Sequence, residues 1–338
     1  MYRYEDIREV HLEVTQKCQA ACPMCDRNMN GGDDNPHLTN AEITLQKAKK
    51  IFKPDFIKQL KTMYMCGNLG DPIVARDTLE IFKYFREHNP TMWLSMNTNA
   101  GARDMPWWME LAQVFGRNGA VIFSVDGLED TNHLYRQNVQ WDKVETNMKA
   151  FIAAGGRARW DYIIFQHNEH QVEEANELSN KMGFKSFQTK ISTRGFNLSG
   201  TTPWKKIAIP KTKKYQPPEM IEGYVKKPVS CKAIYQEQFF ITPDNMILPC
   251  CHVHAEVAKN TYHIKKPDSE FYNFLIDNDI KYDLDKYEFD EIVSSYRENL
   301  NILKDYWSKR LIPICNRICG SNRRNKVKAI RGEIHERY

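Results

Sequence analysis

Nine cysteines are the residues of this chain best suited to chemistry, and they lie towards the two ends of its 338 residues. They are Cys18, Cys22, Cys25, Cys66, Cys231, Cys250, Cys251, Cys315 and Cys319. An odd number of thiols in a large chain fits a disulfide framework poorly and more often indicates metal or redox chemistry. Because no cysteine lies between Cys66 and Cys231, the sequence predicts two separate sites.

The first set, Cys18, Cys22 and Cys25, has the spacing C-x3-C-x2-C and follows the first predicted strand. Three soft thiolates at this spacing can hold one iron–sulfur cube, and the lack of a nearby fourth cysteine leaves one iron open to another ligand. A zinc site would prefer two C-x2-C pairs or Cys/His pairs. A disulfide would leave one thiol over. The spacing therefore favours a [4Fe–4S] cluster.

The second set surrounds a predicted β-hairpin. Cys231 precedes an apolar strand, a turn at residues 243–245 and a second strand that ends at Cys250. If the fold brings this hairpin to the predicted helical pair Cys315 and Cys319, four thiolates can close a second [4Fe–4S] cluster. Three alternatives stay open: Cys251 in place of Cys250, zinc bound with His252 or His254, and unligated core cysteines.

The elements that must position these residues alternate between strand and helix about six times before residue 190. The pattern predicts a mainly parallel sheet with covering helices. Six units fall short of a full eightfold barrel, so we expect an open, partial (β/α)6 barrel with ligands beyond the carboxyl ends of its strands. Thr39 and Glu42 have capping-box spacing and predict a helix that runs on to about Ile51.

The composition divides the chain into three predicted parts. Residues 1–190 form the barrel, residues 191–230 form a connector rich in proline and lysine, and residues 231–338 form a small α+β domain around the second cysteine set. The lysines of the connector predict a solvated face more readily than a binding patch.

Four motifs of the barrel segment together resemble the radical S-adenosylmethionine (SAM) superfamily. They are the C-x3-C-x2-C loop with Met24 before its third cysteine, Gly70-Asp71-Pro72 after the second predicted strand, Asn97-Thr98-Asn99, and Ser124-Val125-Asp126-Gly127. The second motif departs from the family's more usual Gly-Glu-Pro by having aspartate, which keeps the charge. The resemblance covers at least residues 8–190.

The resemblance implies roles for these residues. Cys18, Cys22 and Cys25 would bind a [4Fe–4S] cluster whose open iron binds SAM. Gly70 and Asp71 would contact the methionine end of SAM, where glycine permits a close backbone approach. The residues near the SAM ribose would be Asn97, Asn99, Ser124 and Asp126. Asn99 and Asp126 could instead cap strand-to-helix turns, and Cys66 is better explained as a small core residue than as a ligand.

The C-terminal segment resembles the auxiliary-cluster extension called SPASM, or its shortened form, twitch. The hairpin of that extension usually has a glycine four residues before a cysteine, and Asn245 stands at that place here. Asparagine tolerates the left-handed turn. Residues 231–338 contain too few cysteines for the full extension, so the resemblance implies a single auxiliary cluster, bound by Cys231, Cys250, Cys315 and Cys319.

These resemblances imply an oxidoreductase or maturase-type radical SAM enzyme. It would cleave SAM reductively to a 5′-deoxyadenosyl radical and abstract hydrogen from a peptide side chain or a small molecule, with electrons from a reductase such as flavodoxin or ferredoxin. The alternative from another class is a non-catalytic Fe–S or zinc binding regulator or scaffold.

Composition and charge restrict these classes further. Hydrophobic residues make up 41% of the chain, which is enough for a sizeable core, and the net charge of +5 does not indicate nucleic acid. No run of 18 apolar residues predicts a membrane span. The N-terminal residues include acidic side chains where a signal peptide needs an apolar stretch. Since iron–sulfur clusters need a reducing compartment, we expect a cytoplasmic protein.

Overall fold

The structure is a computed structural model and describes residues 4–28, 34–35, 38–191, 207–216, 228–254, 270–309, 312, 315–316, 319–320 and 328–331. Much of the predicted connector at residues 191–230 therefore lies outside the described residues. No helix in the described ranges combines the length and the apolar character that crossing a membrane requires.

The described strands form one mixed sheet. They are β1 (Glu9–Leu12), β2 (Thr62–Met65), β3 (Trp93–Thr98), β4 (Gly119–Ser124), β5 (Ala158–Ile164), β6 (Ser186–Ile191), β7 (Gln238–Ile241), β8 (Ile247–Leu248) and β9 (Lys328–Arg331). Their spatial order is β8-β7-β1-β2-β3-β4-β5-β6-β9. Strands β1 to β6 are neighbours in chain order and pair in parallel. The predicted open (β/α)6 arrangement is thus confirmed, and the sheet does not close.

Helices fill the crossovers between the parallel strands, as such connections require. The helices are α1 (Leu45–Ile51), α2 (Pro54–Gln59), α3 (Thr78–His88), α4 (Met105–Phe115), α5 (Asn132–Tyr135), α6 (Trp141–Ala153), α7 (Val172–Met182), α8 (Lys232–Tyr235), α9 (Glu270–Asp277) and α10 (Phe289–Ser308). Helices α1 to α7 belong to the barrel segment, and the last three belong to the C-terminal segment.

The capping-box prediction at Thr39 is wrong. Helix α1 begins at Leu45, and its N-cap is Thr44, whose hydroxyl accepts from the Lys47 N–H at 3.2 Å. The Thr39 N–H and hydroxyl both donate to the Gln16 side-chain oxygen at 3.0 Å. Gln16, which is distant in the sequence, therefore binds the Thr39 hydroxyl that the local pattern assigned to a helix N-cap.

The two faces of the sheet differ in chemistry. Trp160 of β5 packs against Phe187 of β6 at a ring distance of 5.7 Å, and Phe123 of β4 packs against Phe151 of α6 at 5.8 Å. These aromatic side chains form the layer between sheet and helices. Because side chains alternate along a strand, the polar Arg159 and the neighbouring odd-numbered positions of β5 project into the barrel interior.

The hairpin of the C-terminal segment continues the barrel sheet. Strand β7 pairs in parallel with β1, with Glu9 opposite Gln238, and β8 returns antiparallel to β7. Asn245 has φ of 72° in the turn, the left-handed conformation that the sequence led us to expect there. One sheet therefore spans the predicted boundary at residue 231.

A buried histidine is hydrogen-bonded to the backbone directly after β2. His11 of β1 is 3% exposed, and its Nε2–H donates to the Cys66 carbonyl at 2.6 Å. Its ring lies between Tyr64, at 4.3 Å, and Phe240, at 4.6 Å. Burial lowers the pKa of His11 to about 3, because the charged ring would lose its hydration there.

The burial of His11 predicts that this residue contributes to a loss of stability in acid. The unfolded chain takes up a proton near pH 6.5 and the folded one only near pH 3, so stability is lost as the pH falls below 6.5. Between pH 7.5 and 5 the unfolding free energy of the wild type should fall. In His11→Gln we expect this fall to be about 2 kcal/mol smaller. Urea unfolding at several pH values measures this. The same substitution at His88 is the control and should leave the decrease unchanged.

Candidate functional site

The first three cysteines lie in the loop that follows β1, at the carboxyl edge of the sheet. Cys22 is buried and the other two are half-buried. The Cys25 N–H donates to the Cys22 carbonyl at 3.1 Å, which folds the loop into a tight turn. The Ala21 N–H donates to the Gln137 carbonyl at 3.0 Å and anchors the loop to the segment after α5. Met24 is buried in the apolar core beneath the loop.

Two side-chain N–H donors face the sulfur atoms. Asn99 Nδ2 lies 3.6 Å from Cys18 Sγ, and Arg136 Nη1 lies 3.8 Å from Cys22 Sγ. Burial raises the pKa of the Cys22 thiol, and the Arg136 guanidinium opposes that rise. Donors of this kind stabilise negative charge on sulfur, as thiolate ligation of a metal cluster needs.

Arg136 is held in place by Asp126. Arg136 Nε lies 2.7 Å from Asp126 Oδ2, and the carboxylate is fully buried. The second oxygen, Oδ1, accepts from the Ile163 N–H at 2.6 Å. Burial raises the pKa of Asp126, and Arg136 counteracts this. Both oxygens therefore have partners within the protein, and the carboxylate orients the guanidinium that faces Cys22.

The turn after β2 is fastened to the cysteine loop through its backbone. Glu13 Oε1 accepts from the Leu69 N–H at 2.7 Å and from the Gly70 N–H at 3.3 Å. A Cβ atom at Gly70 would lie 1.9 Å from the Thr15 carbonyl oxygen, so only glycine permits this approach. The sequence pattern pointed to Gly70 but not to Glu13, whose partners are 56 and 57 residues away.

Asp71 connects this turn to the end of β3. Its Oδ2 accepts from the Asn99 N–H at 2.8 Å and its Oδ1 from the Ile73 N–H at 3.2 Å. Asn99 in turn accepts from Gln19 Nε2 at 2.6 Å through its side-chain oxygen. Asp71 and Asn99 thus join the turn, the β3 end and the cysteine loop into one hydrogen-bonded unit.

Asn97 and Ser124 occupy a different environment from Asp71 and Asp126. They end the inner faces of β3 and β4, and both are half-exposed at the carboxyl edge. The sequence placed all of these residues near one ligand. The Asn97 amide and the Ser124 hydroxyl are half-exposed at that edge. The Asp71 and Asp126 carboxylates instead bind groups within the protein.

The second cysteine set converges on one small cavity. Cys231, at the start of α8, and Cys250, after β8, line it together with Cys315, Cys319 and Trp307. The Ser230 N–H donates to the Cys319 carbonyl at 3.1 Å, which ties the C-terminal pair to the Cys231 segment. Burial raises the pKa of Cys231 to about 12.

The adjacent Cys251 lies outside this cavity. Its carbonyl accepts from Asn68 Nδ2 at 2.8 Å, and burial raises its pKa, with Cys250 and Cys66 contributing. His252 lines the cavity, whereas His254 lies 3.4 Å from Glu13 Oε2 in the barrel.

Asn68 contacts the first cysteine loop and the backbone of Cys251, which is adjacent to Cys250. Cys25 Sγ lies 3.9 Å from the Asn68 carbonyl, and the Asn68 side chain reaches the Cys251 backbone. Nowhere in the described ranges do three or more His, Cys, Asp or Glu side chains form a group that could hold a metal ion. Each iron of a [4Fe–4S] cube takes one thiolate, so its ligands are spread around the cube and need not meet at one point.

Comparison with known proteins identifies the fold. No protein-family model matches the sequence, and the search of curated proteins gives no match. Among solved structures, Streptococcus suis SuiB bound to precursor peptide SuiA aligns with a TM-score of 0.54 and 14% identity, over 85% of this chain and 64% of that one. SuiB bound to S-adenosylmethionine aligns with 0.51 and 16%, over 73% and 60%.

A further structure, histidine-tagged anSMEcpe with bound AdoMet, aligns with a TM-score of 0.51 and 12% identity, over 92% of this chain and 96% of that one. This chain spans about 60% of the length of SuiB. At these identities the likeness concerns the fold. It confirms the expected open, mostly parallel α/β barrel.

The double role of Asp71 predicts that its charge cannot be replaced by an amide. Asp71→Asn would point an NH2 group at one of two backbone N–H donors, so we expect the unfolding free energy to fall by about 1–3 kcal/mol. Asp104→Asn is the matched control. The Asp104 side chain accepts from the Trp107 N–H at the start of α4, and asparagine caps a helix about as well. Equal losses in the two variants would contradict the assigned role.

Proposed function

We propose that this chain is a radical SAM enzyme that removes hydrogen from a bound substrate. The observation that carries the proposal is the placement of Cys18, Cys22 and Cys25 in one loop at the carboxyl edge of the barrel. N–H donors face two of their sulfurs. In folds of this kind the carboxyl edge is where ligands bind.

The residues of this edge fit a [4Fe–4S] cluster with SAM beside it. Three thiols supply the protein ligands and leave one iron for SAM. The backbone of the turn at Gly70 approaches the cysteine loop without side-chain obstruction. Asn97 and Ser124 offer half-exposed hydrogen-bonding groups for the ribose. Asp71 and Asp126 act as positioning residues that hold the turn and Arg136.

A [4Fe–4S] cluster held by Cys18, Cys22 and Cys25 would supply the electron for reductive cleavage of SAM and so the radical chemistry that abstracts hydrogen from the substrate. The chain orients the reactants and excludes water from them. The covering helices bury the outer face of the sheet, so access is from the carboxyl edge. The buried Arg136 guanidinium stays charged at any working pH, since its pKa is raised by the Asp126 carboxylate against the effect of burial.

Four thiols around one cavity support a second [4Fe–4S] cluster bound by Cys231, Cys250, Cys315 and Cys319. Complete ligation by cysteine favours an electron-transfer role over substrate binding. Asn68 supports this role because it lies between the two sites, with its carbonyl 3.9 Å from Cys25 Sγ and its side-chain nitrogen 2.8 Å from the Cys251 carbonyl.

For the substrate we propose a peptide side chain or a small molecule. The likeness to SuiB, whose structure was obtained with the precursor peptide SuiA, supports a peptide. A reductase such as flavodoxin or ferredoxin would deliver the electrons, and the oxygen-sensitive clusters favour a cytoplasmic setting.

A pair of variants tests the two clusters separately. With anaerobically reconstituted protein and dithionite, Cys22→Ala should form no 5′-deoxyadenosine and lose about four of about eight irons. Cys319→Ala should lose a similar number yet still cleave SAM in part, while substrate turnover stops. Wild-type protein with intact clusters that never forms 5′-deoxyadenosine would instead indicate a non-catalytic Fe–S regulator or scaffold.

The neighbouring residues Cys250 and Cys251 provide a matched test of the second site. Cys250→Ala removes a thiol that lines the cavity, and we expect it to lose about four irons. Cys251→Ala removes a thiol that lies outside the cavity, and it should keep all of them. Iron analysis and the electron paramagnetic resonance spectrum of the reduced proteins report the result. A larger loss in Cys251→Ala would reverse the assignment.

A further inference from the structure

Among the described residues, the inner face of the barrel is more exposed at the carboxyl ends of the strands than at the amino ends. Its inward-facing residues near the amino ends of the strands are buried, namely Ser95, Arg159 and Ser186. Those at the carboxyl ends are half-exposed, namely Asn97, Ser124, Ile163 and Lys190. The inner wall therefore forms a cup that opens at the same edge as the cysteine loop.

One wall of this cup carries two cations that share a single carboxylate. Lys190 Nζ lies 2.5 Å from Asp161 Oδ2, and Arg159 Nε lies 2.8 Å from Asp161 Oδ1. Arg159 Nη2 also lies 3.1 Å from Asp161 Oδ2, so the guanidinium is close to both carboxylate oxygens. Asp161 is 2% exposed. Two cations face one carboxylate, so the three side chains together carry a net charge of +1, and Lys190 is the more exposed of the two cations.

Lys190 also lies at the depth where a substrate would sit. Its register partner on β5 is Ile163, whose N–H donates to the Asp126 carboxylate that holds Arg136 against Cys22. The side chain of Lys190 is 35% exposed, whereas Asp161 beside it is buried. Burial raises the pKa of the Cys66 thiol, and the charge of Lys190, from across the cup, partly opposes that rise.

We propose that the Lys190 ammonium binds a carboxylate of the substrate inside this cup. The proposal rests on the proposed function, because it assumes that the substrate enters the barrel beside the first cluster. A net charge of +1 suits a monoanion, because Asp161 would repel a phosphate dianion about twice as strongly as a carboxylate at the same distance. The substrate class is thus a molecule with a carboxylate near the reacting carbon, such as a peptide with a free C-terminus.

Matched peptide pools test this proposal directly. The reconstituted full chain is first saturated with SAM, so that the site for the SAM carboxylate is already filled. It is then dialysed against dipeptides with a free C-terminal carboxylate and, separately, against the same dipeptides as amides. Retained peptides are counted by mass spectrometry. We expect the wild type to prefer the acids by about tenfold, the value of one charge-assisted hydrogen bond. Lys190→Met should lose this preference and Lys190→Arg should keep it.

The controls separate a binding role from a structural one. Lys190→Met leaves Asp161 paired with Arg159, so it should fold, and thermal unfolding checks this. Lys149→Met, on the outer surface of α6, should keep the preference for acids. No such preference in the wild type, or an equal preference in Lys190→Met, overturns the proposal. SAM cleavage is measured on the same samples, so cleavage without acid preference contradicts only the Lys190 site, and acid preference without cleavage contradicts only the proposed function.

Discussion

The close approach of two backbone segments determines the arrangement of this site. The turn after β2 meets the loop after β1 where Gly70 lies against the Thr15 carbonyl and the Asp71 N–H donates to the Lys17 carbonyl at 2.9 Å. The Glu13 carboxylate also holds the turn, since it accepts a hydrogen bond from the Leu69 N–H. Since the loop carries all three cysteines, any shift of the turn would move the thiols relative to the ends of β3 and β4.

Much of the fold follows from local sequence, because the period of apolar residues distinguishes strands from helices and turn residues separate them. The positions of Gly70 and Asn245 were also readable, since each needs a backbone geometry that few residues adopt. Thr39 shows where local reasoning fails. Its pattern was correct for a cap, but Gln16 supplies a competing partner from another part of the chain.

The cysteines of the candidate site could be identified from the sequence, whereas the contacts that position them could not. Cysteine spacing identifies thiolate chemistry without knowledge of the fold. By contrast, the contacts of Arg136, Glu13 and Lys190 involve partners that only the folded sheet brings near, such as Asp126 for Arg136. That Cys250 lines the second cavity and Cys251 does not also depends on the fold, because adjacent residues at the start of a helical turn point about 100° apart.

Strand β7 has a consequence for how the chain can be divided. It occupies the open edge of β1, whose backbone N–H and C=O groups would otherwise face solvent. Exposed edges of this kind pair with other chains and aggregate. The C-terminal hairpin therefore works as an edge protector for the barrel, and a barrel fragment that ended before β7 would be expected to associate with copies of itself through β1.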